Sequence, residues 1–324
     1  MHAVVYDRFG KPGEVVKCVD RPVPKPQPNE IRVRLLLSPI HNHDILTIRG
    51  DYGNRPPLPA IGGTEALGIV DALGADARHL QPGQRVVIAR APGAWAELFT
   101  APARFVVPID RNIPDELAAQ MSSMPFSAGL ALNELQAQPG DWVAVNAANG
   151  AVGKALAQIA IGRGLNVIGI VRSQFSRRVL DELGLDHVYV SDEPHWKDQV
   201  AKDVGDGRIA GAVDMVGGAA SGDLLSLLSR RGTLLSFGAM DDARLQFSVS
   251  DLIYKETVVR GFWASRLVER ITPQEAGALS AELAQLAAAG QLHLPVAGRF
   301  PLSEATAAMR AYYEPRAGKL LFHP

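Results

Sequence analysis

Two rhythms of apolar positions run along this chain. From residue 1 to about 118 the apolar residues come in short runs, "MHAVVYDRF", "EIRVRLLLSPI", "ALGIVDALG", "QRVVIAR" and "WAELFTAP", punctuated by Pro and Gly. Alternation of this kind sets one face of a strand on a core and the other toward water, so it predicts a β-rich unit, with one helical stretch at "HDILTIRG". From about 119 to 261 apolar strand candidates, "WVAVNA", "NVIGIVR", "HVYVS", "AVDMVG" and "TLLSFGA", alternate with helix-length stretches. Each parallel neighbour in a sheet needs a crossover, and this alternation is its signature. After about 262 the texture is mixed: "TPQEAGALSAELAQLAAAG", "EATAAMRAYYE" and a last strand, "KLLFHP". Thr272 reads as a helix N-cap, Pro273 as the first helical residue and Gly290 as the stop. The expected fold is α/β, a doubly wound parallel sheet (119–261) inserted between two pieces of a β-rich domain (1–118 and 262–324).

Composition narrows the function. A chain of 324 residues is long for one core, which agrees with two domains. With 47% apolar and 21% charged residues and a net charge of −1, it has no basic excess for nucleic acid or an anionic membrane. Cys18 is the one cysteine, which excludes an intrachain disulfide and a zinc site built on several thiolates. No apolar run reaches the roughly 18 residues of a membrane span, and strand-like alternation begins at the first residues with no basic and apolar leader before it. These features predict a cytoplasmic protein.

The chemistry starts at "WVAVNAANGAVGKALAQIAIGRG", which reads as strand, small-residue loop and helix. Gly150 lets backbone approach a pyrophosphate, Gly153 allows close helix packing, and the helix start offers N–H groups and a positive dipole. The next strand ends about 20 residues later, where an NAD site places a carboxylate on the ribose hydroxyls. Here the string is "RSQFSRR". Arg172 and Ser173, with Arg177 or Arg178 nearby, suit a 2′-phosphate, so the expected cofactor is NADPH.

With these segments in view, the chain resembles the zinc-independent medium-chain dehydrogenase/reductase superfamily, and most of all its mitochondrial-type NADPH-dependent 2-enoyl thioester reductases. The resemblance rests on "SPIHNHDILTIRGDYGNRPPLPAIGGTE", "WVAVNAANGAVGKALAQIA", "VVRGFWASR" and the closing "GKLLF". It implies a Rossmann domain inserted into a split GroES-like catalytic domain, with Tyr52 as the catalytic group and Trp263 beside it. It also implies cofactor contacts from Asn149, Gly150, Ala151, Val152 and Gly153, from Arg172, Ser173 and Gln174, from Phe237, Gly238, Ala239 and Met240, from Phe262, Trp263 and Ala264, and from Lys319. A homodimer follows by the same analogy.

His41 stands where zinc-dependent relatives carry a cysteine ligand, Thr64 where they carry histidine, and Ser122 or Ser123 near a third position. Three protein ligands are the usual minimum for catalytic zinc, so no metal is expected. His41 and Asn42 are then expected to line the active site, His43 to be a solvent or capping residue, and Glu65 to be a buried carboxylate paired with a cation. Met124 replaces an asparagine of the enoyl reductases and cannot form strong hydrogen bonds, which alters the substrate-lining contacts there.

Without a metal, an α,β-unsaturated substrate still accepts hydride at Cβ and needs a proton at Cα. A phenol, protonated at neutral pH, can give it, either from Tyr52 itself or with water as the final donor. The expected activity is reduction of 2-enoyl thioesters. A quinone or enone reductase of the same superfamily is the alternative, and a non-catalytic NADPH-binding protein a third reading.

Overall fold

The computed structural model describes residues 1–324 as two units, Met1–Ser123 with Leu294–Pro324, and Met124–His293. In the second unit the apolar strand candidates become one parallel sheet. Its strands lie in the order Val188–Val190, Asn166–Val171, Trp142–Val145, Ile209–Asp214, Thr233–Ser236 and Val258–Gly261. Every neighbouring pair is parallel. In chain order this is 3-2-1-4-5-6, the doubly wound dinucleotide-binding arrangement, with its reversal between Trp142–Val145 and Ile209–Asp214. Side chains of these strands, among them Ile168, Ile170 and Leu234, pack with Leu224 and Leu225 of the helix Gly218–Leu227 and with Trp196 and Val200 in one core.

One polar cluster crosses the reversal point. Asp214 is fully buried at the end of an otherwise apolar strand. Its Oδ1 accepts from the Asn146 amide at 2.6 Å and from the N–H groups of Val216 and Gly217, and its Oδ2 accepts from the Ser221 hydroxyl at 2.6 Å. The Asn146 oxygen in turn accepts from the Met215 N–H at 2.7 Å. The cluster fastens the carboxyl ends of two strands where such sheets bind ligands.

The first unit is β-rich. A larger sheet runs Val296–Pro301, Lys319–His323, Glu30–Pro39, Glu65–Leu73, Arg85–Ala89 and Val106–Pro108, with Leu98–Pro102 also pairing to Glu30–Pro39. A smaller one joins Lys17–Asp20, His2–Tyr6 and Ala60–Ile61. Trp95, fully buried, packs edge-on to Phe322 with ring centroids 5.1 Å apart. A Cβ at Gly62 or Gly63 would come within 2.3 Å of that indole, and Gly63 has φ +88°. The pair of glycines in "AIGGTE" is therefore needed to lay backbone flat on Trp95 immediately before Thr64 and Glu65.

The division differs from the boundaries 118 and 262 read from sequence texture. It falls at 123/124 and 293/294, so the helix Pro273–Ala288 belongs with the parallel sheet. The reason is packing: Leu279 lies on Gly129, Leu286 on Gly162, and Glu282 forms a two-pronged ion pair with Arg163 at 2.7 and 2.8 Å. That helix carries the expected start, with Thr272 accepting from the Glu275 N–H at 3.2 Å and Pro273 at its first position, and Gly290 follows it at φ 66°. No helix is long and apolar enough to cross a membrane.

The Asp214 cluster makes a testable claim. Replacing Asp214 by Ala strands the buried Asn146 amide, the Ser221 hydroxyl and two N–H groups, a loss of about 3 kcal/mol. A thermal melt should fall by several degrees; an unchanged melt would mean that the cluster adds nothing to the fold.

Candidate active site

The sequence-singled residues of the first unit converge on a buried polar cluster. The helix Asn42–Arg49 starts after His41, and Asp44 in its first turn accepts the His41 backbone N–H at 2.9 Å. Gly50 closes the helix in the left-handed conformation at φ 81°, and the chain passes directly to Tyr52. Glu65 opens the strand Glu65–Leu73.

His41 and Glu65 are both fully buried, with Nε2 of one 2.7 Å from Oε2 of the other. The second Glu65 oxygen accepts the Ser122 hydroxyl at 2.7 Å. Burial pushes the Glu65 carboxyl up to about 7, against the Ser122 hydroxyl, the N–H groups of Ser122 and Ser123, and the charge of Lys319. Burial likewise holds His41 well below the ordinary imidazole range, the charges of Lys319 and His43 adding to it and Asp44 opposing. A neutral His41 with its proton on Nε2 gives that proton to the carboxylate and leaves Nδ1 a bare acceptor, and Nδ1 has no hydrogen-bond partner. Lys319, read from sequence as a cofactor contact, is thus placed to act electrically on this pair.

His43 is not a free surface residue. Its side chain is 22% exposed, its ring stacks on His41 at 4.9 Å and 18°, and its Nε2 lies 2.6 Å from the Thr64 hydroxyl. Thr64 gives its own proton to Asp44 Oδ1 at 2.9 Å, so it accepts from His43. The Tyr52 ring lies 5.9 Å from that of His43. Asn42 is exposed, and its side-chain oxygen accepts the Tyr312 hydroxyl at 3.0 Å.

This donor set does not fit zinc. His41 is committed to Glu65, Thr64 stands between His43 and Asp44, and Ser122 donates to Glu65. No group of three His, Cys, Asp or Glu side chains is arranged to hold a metal ion.

The second unit gathers the other predicted residues around the parallel sheet. Gly150 caps the helix Ala151–Gly162 with no side chain, leaving first-turn N–H groups for an anion. A Cβ at Gly153 would lie 2.6 Å from Ala148 backbone, so glycine is required for the helix to seat there. Ala147, at the first small position of the loop, takes φ 45° without being glycine. The Asn149 amide donates to Ser176 at 3.0 Å, and Ser173 caps the helix Gln174–Asp181. Arg172 and Arg178 are exposed, while Gln174 donates to Glu193. Phe237 stacks on Phe262 at 5.0 Å, ahead of Gly238, Ala239 and the 69% exposed Met240. Trp263, 42% exposed, precedes the helix Ala264–Leu267 and carries Arg266 over its ring. Met124, half-buried, begins the helix Met124–Leu135.

Comparison with known proteins agrees with this arrangement. Residues 27–111 match the alcohol dehydrogenase GroES-like domain and residues 151–282 the zinc-binding dehydrogenase domain. A human protein named mitochondrial enoyl-[acyl-carrier-protein] reductase is 36% identical over 97% of this chain and 86% of its own length. The chain belongs to the medium-chain dehydrogenase/reductase superfamily. Among solved members, the Escherichia coli quinone oxidoreductase complexed with NADPH superposes with a TM-score of 0.90 at 26% identity, covering 100% of both chains. A mycobacterial quinone oxidoreductase gives 0.89 at 28% identity, again over 100% of both. This superfamily member is thus enoyl reductase- and quinone oxidoreductase-like, with a Rossmann domain and a GroES-like one.

The buried pair makes stability depend on pH with a definite sign. Glu65 keeps its proton to about 7 when folded and to about 4.5 when free, so its contribution falls as pH rises between those values. His41, held neutral when folded, contributes the opposite way, gaining as pH rises through the imidazole range. Glu65→Gln removes the first effect alone. Its urea midpoint, relative to the parent, should climb between about pH 5 and 7, by up to about 1.4 kcal/mol per unit. Parallel curves would show that Glu65 releases its proton at the same pH in both states.

Proposed function

We propose that this chain is an NADPH-dependent oxidoreductase that reduces the carbon–carbon double bond of 2-enoyl thioesters, with Tyr52 as proton donor. The observation that carries the reading is a phenol whose ring lies 5.9 Å from that of His43, which itself stacks on His41 of the buried His41–Glu65 pair, where the donors present do not fit a zinc site. A metal-free member must place negative charge on the substrate and supply a proton, and a phenol can do the second. The likeness to the mitochondrial enoyl reductase of human supports the thioester as substrate.

The cofactor site fits NADPH. First-turn N–H groups after Gly150 would hold the pyrophosphate, and Arg172 with Ser173, on a strand end without a carboxylate, would hold the 2′-phosphate. Held there, NADPH would supply the hydride that adds to Cβ. Tyr52 then gives its hydroxyl proton to Cα.

A homodimer belongs to the same reading. Val258–Gly261 is an open edge of the six-stranded sheet, and the neighbouring helix Val249–Tyr254 exposes Val249, Ile253 and Tyr254 at 65, 61 and 79%. An uncovered edge beside exposed apolar side chains suits a second copy that continues the sheet.

Three measurements test this. Tyr52→Phe should lower crotonyl-CoA turnover by about 10²-fold or more. Quinone reduction that exceeds thioester reduction and ignores Tyr52→Phe would instead favour the quinone reading, which the solved relatives support. Arg172→Ala should raise the KM for NADPH about tenfold while sparing NADH, since a charged hydrogen bond is worth about 1.5–3 kcal/mol. Light scattering should report a dimer that Ile253→Asp with Tyr254→Ser converts to monomer; a parent chain already monomeric would remove the dimer from the reading.

A further inference from the structure

Tyr52 sits on a loop rather than on a helix or strand. Glycines flank it at 50 and 53, and no regular element intervenes between Arg49 and Ala60. A proton donor nevertheless has to be held closely, since a misplacement of about 1 Å can cost about 10² in rate. The contact of its ring with His43 is one such hold.

Three rings follow one another: Tyr52, then His43 at 5.9 Å with planes inclined by 32°, then His41 at a further 4.9 Å and 18°. Each imidazole is pinned by a nitrogen. His41 holds Glu65 at 2.7 Å, and His43 holds the Thr64 hydroxyl at 2.6 Å. The two anchors are consecutive residues, fixed from below by the flat contact of Gly62 and Gly63 with Trp95. Asp44 closes the frame, accepting Thr64 through one oxygen and the His41 N–H through the other. Neither ring can turn without breaking a hydrogen bond, His41's to the buried Glu65 and His43's to the half-buried Thr64.

We infer that His41 and His43 are positioning residues: the two pinned imidazoles form an aromatic column, rooted on Glu65, that sets the place of the Tyr52 ring. The catalytic consequence rests on Tyr52 as proton donor; the placement itself does not. The column uses the rings of the histidines, and their nitrogens serve to anchor them. A relay that passes a proton through His43 would need the nitrogen instead.

The test compares His43→Ala, His43→Phe and Tyr52→Phe, alone and combined, in the full-length protein labelled with 3-fluorotyrosine. The 19F resonance of Tyr52, assigned by its loss in Tyr52→Phe, should shift and broaden in His43→Ala and return toward its parent position in His43→Phe. With crotonyl-CoA, His43→Ala should lower kcat about 10- to 100-fold with KM within about threefold. His43→Phe should regain most of that loss, and His43→Ala should cost nothing further in the Tyr52→Phe background. An unmoved Tyr52 resonance in His43→Ala, or a His43→Phe as slow as His43→Ala, overturns the column, the second result pointing to the nitrogen. If the resonance behaves as expected but Tyr52→Phe turns over at the parent rate, the column stands and the donor role of Tyr52 is what fails.

Discussion

A carboxyl group removed from water must be given donors or a proton, and Glu65 is ringed by donors. Its two oxygens receive His41 and Ser122, N–H groups of Ser122 and Ser123 point at it, and Lys319 lends its charge. Those partners come from three distant stretches of the first unit. Satisfying one buried acid therefore brings together the end of the Glu30–Pro39 strand, the approach to residue 123 and the last strand. The pair of glycines against Trp95 fixes where that acid starts its strand, and the histidines fix what stands above it. The chemistry proposed for Tyr52 is a consequence of this arrangement rather than an addition to it.

The second unit solves a similar problem at Asp214, with a different outcome. There the donors are an amide, a hydroxyl and two N–H groups, and no histidine takes part. The result is a rigid knot between two strand ends. The adjoining phosphate loop keeps its helix-start N–H groups for a ligand because Asn146 and Asp214 hold the strands without drawing on them.

The strands were legible because apolar alternation and apolar runs are direct records of which faces are buried. The parallel sheet and the close helix packing at Gly153 followed from the strand, loop and helix pattern. The domain boundary was not legible, since Gly129 and Gly162, which receive Leu279 and Leu286, leave no periodic mark of their partner. His43 was read as a surface or capping residue; its partner Thr64 lies 21 positions away, beyond any local pattern. The hydrogen bond of Asn42 with Tyr312 spans 270 positions, and no local pattern records it. Asp214 did carry a signal, a charged residue within the apolar "AVDMVG", which is the place to look for a buried, fully bonded carboxylate.

The last strand, Lys319–His323, pairs with Ser38 and Pro39 from near the other end of the chain. On a ribosome, the inserted sheet can therefore close while the first unit still lacks its final strand. Until that strand emerges, the edge of Glu30–Pro39 that it covers stays open, and open edges attract other strands. The order of synthesis thus leaves the unit that bears Tyr52 to be completed last, after the inserted unit has emerged.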